Sequence, residues 1–324
     1  MTFNLPTPPQ FAGACFKRLS CIVCSSLMIL AFAMPLPAAD ILYVTLGNNT
    51  IVSYDTTGNV GSTIAASVAT FISSNLSNPQ GLAFDSTGNL WVGNVGNSLI
   101  SKFNASGGNV ISYNINGFTA KGLAFDSTDN LYVAFLSNNI GKFGFSGETM
   151  ISQSYISSNL NGPVGLAFDS TGNLYAANAG DSTISKFNAS GGYISNITSN
   201  LSAPQGLAFD STGNLYAANA RDNTISKFSS SGGYISNITS NLSAPYGLAF
   251  DSSGNLYAAN NDNRTISKYD SSGNFLTSWS TGSYVPAFLA FKPVTVPEPS
   301  TYALAAIATG VMAYLARRRK ARTA

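Results

Sequence analysis

Short apolar runs, separated by polar turns, recur along most of the chain. Between residues 40 and 296 no stretch has the three-to-four-residue spacing of apolar positions that predicts an amphipathic helix. Runs such as 215–218 and 224–228 are instead typical of strands, and clusters of Ser, Thr, Asn and Gly between the runs predict reverse turns. The pattern therefore predicts an all-β fold.

The segment GLAFDSTGNLYAAN occurs twice without change, at 165–178 and 206–219. Weaker copies begin at Gly81, Gly122 and Gly247, and the starting glycines are 41, 43, 41 and 41 residues apart. A period of 40 to 45 residues with four strand-like runs per repeat predicts the blades of a propeller.

The repeat that begins at Gly206 shows where the four strands of a blade should lie. Strands are predicted, from the channel outwards, over 206–209, 215–218, 224–228 and 234–239. Gly206 and Ala208 suit an innermost strand, because blades converge toward the axis and leave no room there for large side chains. Leu207 and Phe209 have the opposite parity and should fill the core between blades.

The two ends of the repeat region complete one blade. The segment 286–291 repeats the innermost-strand pattern 41 residues after Gly247 and is not followed by a second strand, whereas 41–44 begins with a second strand. Pairing these segments would close the ring and leave no free inner edge. Six innermost strands, beginning at 81, 122, 165, 206, 247 and 288, predict a six-bladed β-propeller.

The order Pro-x-Gly-Leu-Ala-Phe-Asp, Gly-Asn-Leu-Tyr and Ile-Ser-Lys-Phe closely resembles the NHL repeat, which builds six-bladed propellers closed in this way. The resemblance covers residues 41 to 291. It differs from the usual pattern in having Asn after the second strand and Thr where Arg often precedes the Ile. The positions concerned are Asn94, Asn178, Asn219, Asn260, Thr183, Thr224 and Thr265.

Composition excludes several kinds of chemistry. The chain has no histidine, which removes Ser-His-Asp and Cys-His catalysis, His-ligated zinc and the histidine-dependent propeller lyases. All three cysteines lie before residue 25, ahead of the predicted signal-peptide cut. From 40 to 296 there are nine Lys and Arg against thirteen Asp and Glu, a net charge near −4, so a nucleic-acid partner is not expected.

Two series of charged residues repeat along the chain, and each has a structural and a functional interpretation. The aspartates could form a carboxylate ring for calcium, but the favoured interpretation is that each caps its own Asp-x-x-Gly-Asn turn. The lysines could attract a polyanion, but a solvated position on the third strand is favoured. The residues are Asp85, Asp126, Asp169, Asp210 and Asp251, and Lys102, Lys142, Lys186, Lys227 and Lys268. We predict no metal, no cofactor and no catalytic residue.

A ligand site should lie where the blades differ, because blades repeated letter for letter present the same groups around the ring. The residues just before the innermost-strand glycines and two arginines on loops are expected to share one face at the channel mouth. The candidate residues are Gln80, Lys121, Gln205, Tyr246, Arg221 and Arg264. Val164 occupies the corresponding position in a further blade.

The N-terminal residues 1–39 are typical of a signal peptide. Lys17 and Arg18 precede an uncharged apolar run, and small residues follow it, with cleavage possible after Ala33 or Ala39. The alternative is a membrane anchor, although the prolines at 35 and 37 would break its helix. The propeller is accordingly predicted over 40–295.

The C-terminal segment 296–324 has three parts. A Val-Pro-Glu-Pro-Ser motif at 296–300 precedes sixteen uncharged, mostly apolar residues at 301–316, and 317–324 is basic. The apolar part predicts a short transmembrane helix whose C-terminus stays in the cytoplasm.

This order closely resembles the PEP-CTERM sorting signal, with Pro297, Glu298 and Pro299 as the motif. The resemblance implies processing by an exosortase-like enzyme and association with extracellular polysaccharide. The alternative is a permanent single-span anchor.

Two function classes remain. The first is an exported cell-surface or extracellular-matrix propeller, expected to be monomeric, that binds or spaces exopolysaccharide or other surface proteins. The second is an enzyme similar to lactonases or strictosidine synthase, with a carboxylate-ligated metal at the channel mouth. The near-identity of the blades favours binding, because an active site needs different groups from different blades around one reacting atom.

Overall fold

The computed structural model describes residues 40–56 and 69–292, which form six four-stranded antiparallel sheets. The innermost strands are β4 (Pro79–Phe84), β8 (Ala120–Phe125), β12 (Pro163–Phe168), β16 (Pro204–Phe209), β20 (Pro245–Phe250) and β24 (Pro286–Phe291). The second strands are β1 (Ile41–Leu46), β5 (Leu90–Asn94), β9 (Leu131–Phe135), β13 (Leu174–Asn178), β17 (Leu215–Asn219) and β21 (Leu256–Asn260). The third strands are β2 (Thr50–Asp55), β6 (Leu99–Phe103), β10 (Asn139–Ser146), β14 (Thr183–Phe187), β18 (Thr224–Phe228) and β22 (Thr265–Tyr269). The outermost strands are β3 (Ala69–Ile72), β7 (Asn109–Asn114), β11 (Thr149–Ile156), β15 (Tyr193–Ile197), β19 (Tyr234–Ile238) and β23 (Phe275–Ser280).

The innermost strands form a closed ring. Each contacts the innermost strands of the two neighbouring sheets, and β24 also contacts β4. We number the blades along the chain: blade 1 contains β24 and β1 to β3, and blades 2 to 6 contain β4–β7, β8–β11, β12–β15, β16–β19 and β20–β23. The prediction of a six-bladed all-β propeller is confirmed.

Blade 1 is assembled from both ends of the described chain. Strand β24 pairs antiparallel with β1, and Val44 lies opposite Leu289. The predicted closure between 286–291 and 41–44 is therefore confirmed. The 43-residue spacing after Gly122 comes from blade 3, where β10 and β11 are each eight residues long, against five or six for the third and outermost strands of blades 2 and 4 to 6.

The same aromatic contact joins every pair of neighbouring blades. An aromatic residue of the second strand meets, edge to face, the last Phe of the next innermost strand, with ring centroids 5.0 to 5.5 Å apart. The pairs are Tyr43–Phe84, Trp91–Phe125, Tyr132–Phe168, Tyr175–Phe209, Tyr216–Phe250 and Tyr257–Phe291. Such pairs contribute about 0.5–1.5 kcal/mol each beyond the area they bury, so the blades are held by one contact repeated around the ring.

Glycine on the innermost strand permits this close approach. A Cβ atom at Gly247 would lie 2.6 Å from the carbonyl oxygen of Ala287 and 2.7 Å from the Cα of Phe288 in the next blade. Leu207, of the opposite parity, is buried in a cluster with Tyr175 of the preceding blade. Both expectations for the innermost strand are confirmed.

The described residues include no helix of the length and apolarity that crossing a membrane requires. The predicted signal peptide (1–39), sorting motif (296–300), transmembrane helix (301–316) and basic tail (317–324) lie outside the described residues. The domain boundaries at 39/40 and 295/296 stay predictions.

Candidate functional site

Each innermost strand has, directly before the glycine position, a residue that varies among the blades. In blades 1 to 6 these residues are Ala287, Gln80, Lys121, Val164, Gln205 and Tyr246. Lys121 Nζ donates a hydrogen bond to Gln80 Oε1 (3.2 Å), and the Tyr246 hydroxyl donates to the same oxygen at 3.4 Å. Blade 1 stands between blades 6 and 2, so the contact from Tyr246 reaches past it. Three residues of the predicted face therefore meet at the end of the channel where the innermost strands begin, which we call the mouth.

Apolar side chains from opposite blades meet beside this polar cluster. Phe288 stands where the other five blades have glycine, and its ring packs edge to face on Tyr246 with centroids 5.3 Å apart. Phe288 and Ala287 of blade 1 share a buried hydrophobic cluster with Val164 of blade 4, on the opposite side of the ring. We call Val164, Ala287 and Phe288 the apolar floor of the mouth.

Lys121 is a half-buried cation without a counter-charge. Burial lowers the pKa of its ammonium group, and burial also raises the pKa of Tyr246 to about 12. Five other lysines of the described ranges form ion pairs with aspartates, but Lys121 has no carboxylate partner there. Its polar partner in that part of the chain is the neutral amide of Gln80.

The other three candidates are not joined to this cluster. Gln205 turns its Nε2 toward the carbonyl oxygen of Ala203 in its own inter-blade loop, at 3.0 Å. Arg221 and Arg264 are exposed on the loops between second and third strands of blades 5 and 6. These loops lie at the mouth end, because the backbone N–H of Asn261 donates to the carbonyl of Ala244, directly before β20. The structure therefore places the arginines on the mouth face, and no hydrogen bond within the described residues joins them to Lys121.

Sequence reasoning missed two residues that shape the mouth. The fully buried hydroxyl of Thr45 donates to the carbonyl oxygen of Gln80 (3.0 Å) and accepts from the N–H of Phe288 (2.9 Å). Thr45 and Phe288 both belong to blade 1. The sequence could have revealed them, because the other blades have Gly or Ala at these two positions. Thr45 thereby positions the backbone on which Gln80 is held.

The asparagines that distinguish this repeat are structural. Asn219 Nδ2 donates to Ser226 Oγ (2.8 Å), its Oδ1 accepts from the N–H of Ser202, and Ser226 Oγ donates to the carbonyl of Asn200. The same network surrounds Asn94, Asn178 and Asn260, and all four side chains are essentially fully buried. Each asparagine therefore ties the loop that enters its blade to the second and third strands.

The opposite end of the channel carries five copies of a closed charge cluster. Asp210 accepts hydrogen bonds from the backbone N–H groups of Thr212 and Asn214 and from both of their side chains. Burial opposes ionisation, but these hydrogen bonds outweigh it and lower the pKa of Asp210 to about 2. The prediction that the aspartates cap their own turns is confirmed.

The lysines of this end are paired with aspartates and only partly exposed to solvent, which corrects the sequence expectation. Lys227 Nζ lies 3.5 Å from Asp210 Oδ2 and 5.0 Å from the ring centroid of Tyr216, and its side chain is 22% exposed. Equivalent contacts involve Lys102, Lys142, Lys186 and Lys268. Tyr216 of β17 lies directly opposite Lys227 of β18, and this relationship depends on the register of the two strands. These charges are neutralised within each blade and offer no repeated basic surface.

A concave region lies at the rim between blades 3 and 4. This cavity of about 190 Å³ is lined by β11 and by the turn between β14 and β15. Its walls include Tyr132, Lys142, Gln153, Tyr155 and Ser190. Lys142 is already paired with Asp126, so the cavity offers mainly hydroxyl, amide and aromatic contacts.

The described residues contain no group of three or more His, Cys, Asp or Glu side chains placed to hold a metal ion. The residues at the six mouth positions include no carboxylate. Nothing in the described geometry therefore favours the carboxylate-ligated metal of the lactonase-like alternative.

Comparison with known proteins agrees with the fold. A family model for the NHL repeat matches residues 76–103, and a model for the PEP-CTERM protein-sorting motif matches 295–320. No curated protein matches the sequence.

Solved structures share the fold at low identity. A chain from a nidogen/laminin complex superposes with a TM-score of 0.68 at 16% identity, covering 79% of this chain and 99% of that one. A protein of unknown function from Bacteroides caccae gives 0.62 at 13% identity, covering 79% and 99%.

A virginiamycin B lyase from Staphylococcus aureus gives 0.52 at 17% identity, covering 63% and 70% of the two chains. Identities this low bear on the fold alone. The chain is therefore a six-bladed β-propeller that contains an NHL repeat and carries a PEP-CTERM protein-sorting motif, which indicates export.

Proposed function

We propose that the propeller is a binding module of the cell surface or extracellular matrix, with its ligand site at the channel mouth. The observation that carries the proposal is the convergence of Gln80, Lys121 and Tyr246, from three different blades, on an apolar floor. Such a combination of a few converging polar groups with an apolar base is typical of ligand sites. In the described part of the chain, by contrast, the five lysine–aspartate pairs repeat the same contacts from blade to blade.

Exopolysaccharide is the partner that we favour, with surface proteins as the other class. The sorting motif places the chain among exported proteins, and an exosortase-like enzyme would process its tail. The outermost strands of blades 4 and 5 present Tyr193 and Tyr234 at 45% and 44% exposure, at equivalent positions. Exposed tyrosines combine an apolar ring with a polar tip, which suits repeated weak contacts with a sugar polymer.

The test is a binding screen of the purified protein against the polysaccharide and the surface proteins of its own host. We expect retention on the polysaccharide, and at least about tenfold weaker binding by Gln80→Ala and Tyr246→Phe, because each removes a hydrogen-bonding group from the mouth. Lys227→Met is the matched control, since it removes a charge at the opposite end. Equal binding by all four proteins would place the ligand elsewhere and contradict the proposal.

A further inference from the structure

The mouth holds an excess of hydrogen-bond donors. Gln80 Oε1 accepts hydrogen bonds from Lys121 Nζ and from the Tyr246 hydroxyl. These two bonds orient the amide, and its Nε2 group remains available as a donor. This Nε2 donates no hydrogen bond within the described residues, and the side chain of Gln80 is partly exposed to water. An ammonium group has three donors and no acceptor, so Lys121 can make further bonds beyond the one to Gln80. A ligand with hydrogen-bond acceptors could therefore bind the free donors of both Gln80 Nε2 and Lys121 Nζ.

Lys121 forms no ion pair with any carboxylate of the described residues. The loops at the mouth end of blades 1, 2 and 3, at 47–49, 95–98 and 136–138, contain no charged residue, and neither does any described inter-blade loop. Charged residues occur on the corresponding loops of blades 4 to 6, namely Asp181, Arg221, Asp222, Asp262 and Arg264. Asp222 already accepts a hydrogen bond from Ser202. The three loops at the mouth end of blades 1 to 3 thus provide no carboxylate for Lys121.

Burying a cation without a partner is unfavourable for the folded protein. A lysine in such a position costs stability, whereas an anion bound against it would recover that cost. The apolar floor of Val164, Ala287 and Phe288 strengthens the effect, because it limits the water that can solvate the ammonium group.

We propose that the mouth binds a singly charged carboxylate, with one oxygen on Lys121 Nζ and the other on Gln80 Nε2. This inference rests on the proposed function and names the ligand class of the same site. A single ammonium group matches one negative charge, whereas a phosphate dianion usually meets several cationic or backbone donors. The carboxylate could belong to a free sugar acid or to a uronic acid within an acidic polysaccharide.

The experiment measures binding to the intact protein, recovered from cells in mild detergent, by titration calorimetry. The probes are D-glucuronate, a galacturonic acid oligomer and a neutral galactose oligomer of equal length. We expect the acidic oligomer to bind at least about tenfold more tightly than the neutral one, and Lys121→Met to remove that difference. Lys121→Arg should retain the preference in part, and Lys227→Met should retain it fully.

The probes also distinguish the two sources of the carboxylate. Equal binding of glucuronate and of the acidic oligomer would identify a small acid as the ligand, and binding of the oligomer alone would identify the polymer.

Two outcomes would overturn the inference. If acidic and neutral oligomers bind equally, and Tyr246→Phe weakens both while Lys121→Met weakens neither, the mouth is a binding site but not for carboxylates. If no probe and no host polymer binds, the proposed function fails together with it. Thermal unfolding of Lys121→Met provides an independent check, because removing an uncompensated cation should leave the melting temperature unchanged or raise it. A lower melting temperature with unchanged binding would make Lys121 a structural residue.

Discussion

Val44 and Leu289 lie opposite each other in neighbouring antiparallel strands, although nearly the whole described chain separates them in sequence. Their pairing joins the first and last strands of the ring. In an open ring, β1 and the neighbouring innermost strands would be left with exposed edges.

Deletion of residues 286–291 should therefore lower the melting temperature sharply. The deletion removes β24, the innermost strand of blade 1, together with the buried Phe288. Circular dichroism melts would measure the effect, with a chain ending at residue 295 as the control, which we expect to remain a soluble monomer. An unchanged melt would mean that the ring closes in another way.

Gly247→Ala should destabilise the propeller by about 1–3 kcal/mol. The new Cβ would meet backbone atoms of blade 1 at 2.6 to 2.7 Å, and backbone can move only if the blades separate. Gly47→Ala is the matched control, because a Cβ there would find its nearest atom at 3.8 Å. Denaturant unfolding of both variants would test the difference, and equal stability would argue against tight contact between the innermost strands.

Asn219 and Ser226 should show coupled contributions to stability. Asn219→Ala is expected to cost about 1–3 kcal/mol, because the N–H of Ser202 and the hydroxyl of Ser226 lose their partner. Ser226→Ala breaks the same network, so the double variant should lose less than the sum of the single losses. The exposed Ser236→Ala serves as a control for loss of a hydroxyl. Additive losses would mean that the two side chains act separately.

Stability should fall as the pH drops from about 4 toward 2. Hydrogen bonds lower the folded-state pKa of Asp169 and Asp210 to about 2, below the ordinary value of 3.8. The resulting stabilisation is present above the ordinary pKa and is lost as the pH falls through the folded-state value. Chemical unfolding at a series of pH values would measure this fall.

Asp210→Asn should reduce the fall, because asparagine can cap such a turn without titrating. Asn188 already does so in blade 4, accepting bonds from the N–H groups of Ser190 and Gly192. An identical acid transition in wild type and variant would exclude Asp210 as a contributor.

The C-terminal tail should be removed during export. A lasting anchor needs an apolar span and basic residues, but it has no use for a rigid proline-flanked carboxylate at Glu298, whereas a processing enzyme does. Mass spectrometry of the protein from its native cells should find few peptides containing Tyr314 and Leu315, and Glu298→Ala should increase them. Intact tails on most of the surface population, unaffected by the substitution, would instead indicate a permanent anchor.

The sequence by itself determined the architecture of this protein. Blade number, strand order and ring closure could be read from GLAFDSTGNLYAAN and its copies, because a strand and its turns are local and each repeat marks them again. The Asp-x-x-Gly-Asn turns could be read for the same reason, since Asp210 bonds to residues at most four positions away.

Only the tertiary structure decided which side chains meet. The hydroxyl of Tyr246 and the amide of Gln80 are 166 residues apart in sequence, and they touch because ring closure brings blades 6 and 2 close to the same axis. Lys227 is paired rather than free in solvent because strand register sets it against Tyr216 and Asp210. The first contact depends on how the sheets face one another around the ring, and the second depends on strand register within one sheet. A repeat pattern contains no information about either geometry.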